Sequence, residues 1–177
     1  MKISRCWSMP SRWTFTIKPI AELLARYVGD GKDWIDPFAG ENSPAEFTND
    51  LNEHVKAGHH KDALLWLKEL RGLHIGALFD PPYSITQAKE CYEGYGMNLL
   101  DIKPTSMEYW AGVKTEMARL IRVNGIVICC GWTSQGLGMT RGFKMIEILL
   151  VPHGGSKNDT TVTVERKVQS QLKVESE

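Results

Sequence analysis

The stretch "LFDPPYS", residues 78–84, follows the apolar run Ile75-Gly76-Ala77-Leu78-Phe79 and decides how the chain is read. A short, continuous apolar run of this kind predicts a buried strand. Asp80 then falls at its carboxyl end, where open α/β sheets place their ligands. Pro81 and Pro82 have no N–H to give to a ladder, so the backbone turns stiffly there. Tyr83 closes the turn. Taken alone, the segment is equally readable as a plain turn with a solvated acid and a packing ring. The surrounding sequence decides between the two.

On the amino-terminal side, "KPIAELLARYV" carries Ile20, Leu23, Leu24 and Tyr27 at helical spacing after Pro19, a favoured first-turn residue. "DWIDPFAG" reads as a strand that ends in a glycine loop, and "KDALLWLKEL" as a helix. On the carboxyl side, "SMEYWAGVKTEMARLIRVNG" predicts an amphipathic helix with Asn124-Gly125 as its stop. "IVICCGW" and "KMIEILLV" predict buried strands, and "DTTVTVERK" alternates in period two as an edge or antiparallel strand does. Strands alternating with helices imply an α/β fold, a mostly parallel sheet with helices on both faces.

"SPAEFTNDLNEHVKAG" carries two incompatible signals. Ser43 and Glu46 form a capping-box pattern with Pro44 at the first helical position, and Phe47, Leu51 and Val55 are spaced four apart. Local chemistry therefore favours a helix. The alternative is a short strand over Glu46–Asp50, although few residues are left for a parallel crossover after Phe38.

The chain has 177 residues, with 42% hydrophobic and 24% charged, an ordinary globular composition. Lys plus Arg equals Asp plus Glu at 21 each, which argues against a global polyanion-binding field and leaves room for a local basic patch. No apolar stretch reaches the length of a membrane span, and residues 1–10 lack a signal-peptide apolar core. A cytoplasmic protein without membrane association is expected. Cys6, Cys91, Cys129 and Cys130 match neither a zinc spacing nor a redox pair. Consecutive in a strand, Cys129 and Cys130 are expected on opposite faces. His59-His60 beside Gly58 reads as a solvated turn, so no metal site is expected. "GLGMTRG", 136–142, has the wrong spacing for a phosphate loop and reads as a mobile loop.

Order strengthens the reading. "FTIKPI" (15–20) precedes "DPFAG" (36–40), which precedes "DPPY" (80–83); "NDLN" (49–52), "DAL" (62–64), "GW" (131–132), "RGF" (141–143), "EILL" (147–150) and "HGG…NDT" (153–160) accompany them. In these motifs residues 12–167 resemble the S-adenosylmethionine-dependent adenine-N6 methyltransferases of DNA, more closely the small adenine-specific methylases of phages and prophages. The resemblance implies a Rossmann-like class I methyltransferase fold with an antiparallel carboxyl-terminal strand. It implies one methyltransferase domain over residues 1–167, a polar tail over 168–177 and no separate target-recognition domain. It also turns the reading of 44–57 toward the strand, with the helix after the first strand reduced to a turn.

The chemistry accounts for the residue types. An exocyclic adenine amine is a poor nucleophile because its lone pair is conjugated into the ring. Acceptors for both amine hydrogens, the Asp80 carboxylate and the Pro81 carbonyl, localise that lone pair for in-line attack on a sulfonium methyl. Pro82 stiffens the acceptor turn, and Tyr83 offers a face on which an extruded base stacks. By resemblance, Asp36, Pro37, Phe38, Ala39 and Gly40 wrap the methionine part of the cofactor. Phe15, Lys18 and Pro19 close over its carboxylate end, Asp50 takes the ribose hydroxyls, and Asp62 with Ala63 meets its adenine. Asp80 borders the cofactor as well. Where that family usually has a third glycine, this chain has Asn42, a residue that tolerates the left-handed conformation.

Toward the substrate, Trp132 either lines the base pocket or caps the core. Arg141 and Lys144 are expected to clamp phosphate, and His153 and Asn158 to lie near the target base. S-adenosylhomocysteine would be the product and DNA the partner, with a homodimer as one way to extend recognition. Only residues 84–104 and 132–144 are left to read sequence. The competing functions are an RNA adenine or guanine amino-methyltransferase and a catalytically weak cofactor- or DNA-binding protein.

Overall fold

Alternation of buried side chains organises the molecule. A computed structural model describes residues 1–94, 106–155 and 158–169. Seven strands form one sheet: β1 (Lys2–Arg5), β2 (Trp34–Asp36), β3 (Phe47–Thr48), β4 (His74–Phe79), β5 (Ile121–Gly131), β6 (Phe143–Val151) and β7 (Thr160–Lys167). Their spatial order is β1-β6-β7-β5-β4-β2-β3. Every pairing is parallel except those of β7, which lies antiparallel between β5 and β6. The helices are α1 (Lys18–Tyr27), α2 (Ala63–Glu69), α3 (Ile85–Gly94) and α4 (Met107–Leu120). Among the described residues no helix is long and apolar enough to cross a membrane.

Each face of the sheet has its own core. On one face Trp34, Leu78, Ile128 and Cys130 pack with Ile20, Leu23 and Leu24 of α1. On the other, Ile35, Ala77, Phe79, Val127 and Cys129 pack with Trp66 and Leu67 of α2 and Val113 and Met117 of α4. Cys129 and Cys130 thus point to opposite faces, as period two requires. Each buried large side chain contributes about 1.5–3 kcal/mol, so both layers are needed to hold the sheet.

Folding decides four points of local structure. The capping-box helix does not form. Ser43 Oγ instead donates to Asp36 Oδ2 at 2.6 Å, and Glu46 Oε2 accepts from the Asp33 amide at 2.7 Å. Both side chains that would have capped a helix are used elsewhere, and Phe47–Thr48 pairs beside β2. The connection after β2 is a turn rather than a helix.

Secondly, α4 ends at Leu120, not at Asn124-Gly125. Buried Lys167 Nζ donates to the Ala118 and Ile121 carbonyls at 2.6 Å each, capping the helix from β7. Asn124, at φ 67°, and Gly125 form an irregularity within β5, where the register shifts between the His74 and Gly76 pairs. A Cβ on Gly125 would sit 2.5 Å from Ile121 Cγ2. Thirdly, of the two readings of "DTTVTVERK" the antiparallel one holds, and the strand lies in the interior of the sheet. Fourthly, β1 forms an edge strand that the sequence pattern did not announce.

Candidate active site

The carboxyl ends of β2, β3 and β4 converge on a cleft of about 510 Å³. Its lining includes Pro37, Phe38, Asp50, Leu51, Ala63 and Asp80–Tyr83. A second cleft of about 300 Å³ lies across the same turn, between Pro81, Pro82, Tyr83 and the side chains of Phe79, Trp110, Lys114 and Trp132. The Pro81-Pro82-Tyr83 turn is therefore a wall shared by both.

Within that wall Tyr83 donates its hydroxyl to Asp80 Oδ1. The Tyr83 amide donates to Gln87 Oε1 at 2.8 Å, tying the turn to α3. Thr14 Oγ1 lies 3.4 Å from the same hydroxyl, and the Trp132 ring meets Tyr83 edge-on at 5.9 Å. Burial raises the Asp80 pKa, against the opposing hydrogen bonds from Tyr83 and Thr14. Burial, with the neighbouring Asp80 charge, raises Tyr83 in turn. Both shifts favour the protonated form of the group concerned.

Asp36 does not line the cleft; it is fully buried beneath it. It accepts from the Phe38 amide at 3.0 Å and from Ser43, so it shapes the loop that presents Pro37 and Phe38. Burial lifts its pKa to about 7, opposed by those hydrogen bonds and reinforced by Asp80 and Asp50. Ala39 is buried, and Gly40, at φ 53°, donates its amide to Asp50 Oδ2 at 2.8 Å. Asp50 Oδ1 accepts from the Asn52 amide. Asn42 takes no left-handed conformation and faces a separate recess with Phe15 and Pro44, so it does not disturb this loop.

Other expected residues are rearranged. Phe15 and Pro19 are buried and Lys18 is exposed at the start of α1; none lines the large cleft. Ser11, Arg12 and Thr14 occupy that wall instead, residues the motif match passed over because they precede "FTIKPI". The Asp62 carboxylate is consumed internally. It caps α2 through the Leu65 amide and accepts from Tyr109 Oη at 2.6 Å and Tyr92 Oη at 3.2 Å. Its neighbour Ala63 does reach the cleft, as do Lys61, Glu90, Cys91 and Tyr92.

On the substrate side, Trp132 lines the second cleft and is 42% exposed, so it does not cap the core. The expectation that Arg141 and Lys144 border this pocket is corrected. Lys144 pairs with Arg166, which pairs with Ile126, at the end of the sheet opposite Asp80. Arg141 is bonded to Thr115 Oγ1, the Leu137 carbonyl and the Ala111 carbonyl. The loop before it is anchored rather than mobile. Buried Glu165 accepts from the Leu137 and Gly138 amides at 2.5 and 3.0 Å, an internal anion where a phosphate loop would hold an external one.

His153 is buried on the carboxyl edge and serves structure there. Its Nδ1 donates to the Ser8 carbonyl, and its Nε2 is hydrogen-bonded with Thr160 Oγ1, both at 2.9 Å. Asn158 is exposed. Of the segments expected to read sequence, residues 95–104 lie outside the described residues, as do 170–177 of the tail.

No family model matches the chain, and no curated protein matches it by sequence. Solved structures do match. TrmN from Thermus thermophilus superposes with a TM-score of 0.56 at 16% identity over 86% of this chain, which spans about half (49%) of TrmN. The 1,6-didemethyltoxoflavin N1-methyltransferase of Burkholderia thailandensis, solved with S-adenosylhomocysteine bound, gives 0.57 at 14% identity over 86% of this chain and 78% of that one. The N-methyltransferase NodS of Bradyrhizobium japonicum gives 0.56 at 10% over 86% and 96%. At these identities it is the fold that is shared: the chain has the Rossmann-like fold of the methyltransferases.

Proposed function

We propose that the chain transfers a methyl group from S-adenosylmethionine to the exocyclic N6 amine of adenine in DNA. The observation that carries this reading is the shared wall: Pro81, Pro82 and Tyr83 stand between two clefts at the carboxyl edge of the sheet, and Asp80 lines the larger of them. In this reading the donor sits on one side of the wall and the acceptor amine approaches from the other.

The larger cleft suits the cofactor chemically. Its volume falls within the roughly 300–1,000 Å³ of small-molecule sites. Asp50 offers carboxylate oxygens to hydroxyls, Phe38, Leu51 and Ala63 offer apolar surface to a purine, and Arg12 offers a cation to a carboxylate. Arg12 thus takes the part that the resemblance gave to Lys18. Asp62 acts indirectly, holding Ala63 in the wall. Bound there, the cofactor supplies an electrophilic methyl group on a sulfonium.

Asp80 accepts a hydrogen bond from the target amine, replacing the Tyr83 hydroxyl that holds it in this structure. Release of that hydroxyl frees the Tyr83 ring to turn onto the base, with Trp132 as its neighbour. The preorganised acceptor stabilises the positive charge that develops on nitrogen. The choice of adenine in DNA rests on the resemblance in DPPY and its companion motifs.

Incubation with methyl-labelled cofactor and parallel DNA and RNA substrates, followed by nucleoside analysis, tests the proposal. Label in N6-methyladenine from DNA is expected. Label confined to RNA would transfer the activity to the competing nucleic acid. Cofactor binding with no transfer to either would leave a binding protein.

A further inference from the structure

Residues 1–21 carry Lys2, Arg5, Arg12 and Lys18 and no acid, whereas in the chain as a whole 21 basic residues balance 21 acidic ones. After β1 this segment leaves the sheet edge and crosses its carboxyl end. The Cys6 amide bonds the Leu150 carbonyl at 3.0 Å, the Ser8 amide bonds the Pro152 carbonyl at 3.2 Å, and His153 holds the Ser8 carbonyl. Thr14 then reaches Tyr83, and Ser11 and Arg12 line the large cleft. The segment is a strap across the edge on which the candidate site opens.

Its outward side chains share one chemistry. Trp7 is 59% exposed, and a Cβ on Gly154 would lie 3.5 Å from its Nε1, so the indole rests against the turn after β6. Arg5 is exposed, Arg12 stacks 4.4 Å over the Trp13 ring, and among the described residues neither arginine makes an ion pair. Trp132 projects from the end of β5 on the same edge.

We propose that this strap is the track for a nucleic-acid strand, with Arg5 on a phosphate and Trp7 and Trp132 stacking bases that flank the site. The inference rests on the proposed function and names its grip. The unpaired Arg5 on an acid-free segment matches a polyanion, and exposed indoles accept any base by its face. Extruding a base also requires a hold on the neighbouring backbone. Arg141 and Lys144 lie too far from the edge to give it.

Fluorescently labelled single-stranded and duplex oligonucleotides, titrated at several salt concentrations, provide the test. Trp7→Ala should weaken single-strand binding about ten-fold or more, with Trp7→Phe retaining most of it. Arg5→Ala should flatten the log–log salt dependence by about 0.7 for a single strand, and Arg5→Lys should restore it. Circular dichroism confirms that each variant is folded. Wild-type affinity and slope in both alanine variants would overturn the track, as would failure of the native protein to bind either nucleic acid at low salt. Equal binding of polyglutamate, insensitive to Trp7→Ala, would reduce the strap to a generic charge and overturn it too. Methyl transfer is assayed separately. Transfer to DNA with unaffected variants removes the track alone, whereas binding through the strap with no transfer to any substrate removes the proposed function alone.

Discussion

Asp80, which lines the larger cleft, accepts one hydrogen bond from Tyr83 in the wall between the two clefts. If Asp80 accepts the target amine, Asp80→Ala lowers transfer by on the order of 10²–10³ while cofactor affinity changes little. Single-turnover kinetics beside calorimetry separates the two effects, and a parallel loss of cofactor binding would count against the assignment. Tyr83→Ala should be severe and Tyr83→Phe milder, since the ring face matters more than the hydroxyl. Asp36 makes a different prediction. Burial raises it from 3.8 to about 7, so the folded state binds its proton more tightly than the unfolded chain does. The stability this contributes is fully present below about pH 4 and is lost as pH rises through about 7. Asp36→Asn should therefore flatten the pH dependence of the melting temperature across that window. Thermal melts from pH 4 to 8 check it; an unchanged slope would place the proton elsewhere.

Among the elements, the loop from Trp132 to Gly142 is anchored by one buried carboxylate of β7 together with Lys114 on the Gly136 carbonyl and Arg141 on the Leu137 carbonyl. Glu165 accepts two of its amides, and a Cβ on Gly136 would lie 2.0 Å from Glu165 Oε2, so the contact is tight. Leaving those amides unpaired costs about 1–3 kcal/mol each. In Glu165→Ala, the Leu137 and Gly138 amides should exchange hydrogen at least about ten-fold faster, while the amides of β4 keep their protection. Equal acceleration in β4 would mean that the loss is global. A comparable anchor joins α1 to β6: Glu147 is hydrogen-bonded by Arg26, Tyr27 and Lys2, chiefly Arg26, and these partners hold its pKa at about 2. Its contribution is present above about pH 4.5 and disappears as pH falls toward 2.

For the whole molecule, a ligand seated between the ends of β2, β3 and β4 binds only the folded state, because the chain segments that form the cleft are far apart in sequence. S-adenosylmethionine at a hundred times its Kd should stabilise the fold by about 2.7 kcal/mol, a melting shift of roughly 5–10 °C for a domain of this size. Asp36→Ala should abolish that shift by collapsing the loop that presents Pro37 and Phe38. A full shift in a folded Asp36→Ala protein would remove the loop from the cofactor site.

Local signals sufficed wherever they acted alone. The apolar run before Asp80, the spacing of Ile20, Leu23 and Leu24, and the opposite faces of Cys129 and Cys130 are written in period and turn chemistry, so the α/β class and the position of the candidate site were legible. Tertiary structure decided wherever one side chain had two available partners. Ser43 and Glu46 cap a helix in isolation, yet in the fold Asp36 and the Asp33 amide claim them. Asn124-Gly125 stops a helix in isolation, but Lys167 from β7 ends α4 one turn earlier and leaves the pair to kink a strand. β1 was invisible because four mostly exposed residues acquire strand geometry only from the edge of β6. Arg141 and Lys144 seemed near Asp80 because the loop departs from the right edge; only the antiparallel register of β6 and β7 carries Lys144 to the other. A hydrogen bond is a competition among partners, and the sequence names the competitors while the fold brings the winner within reach.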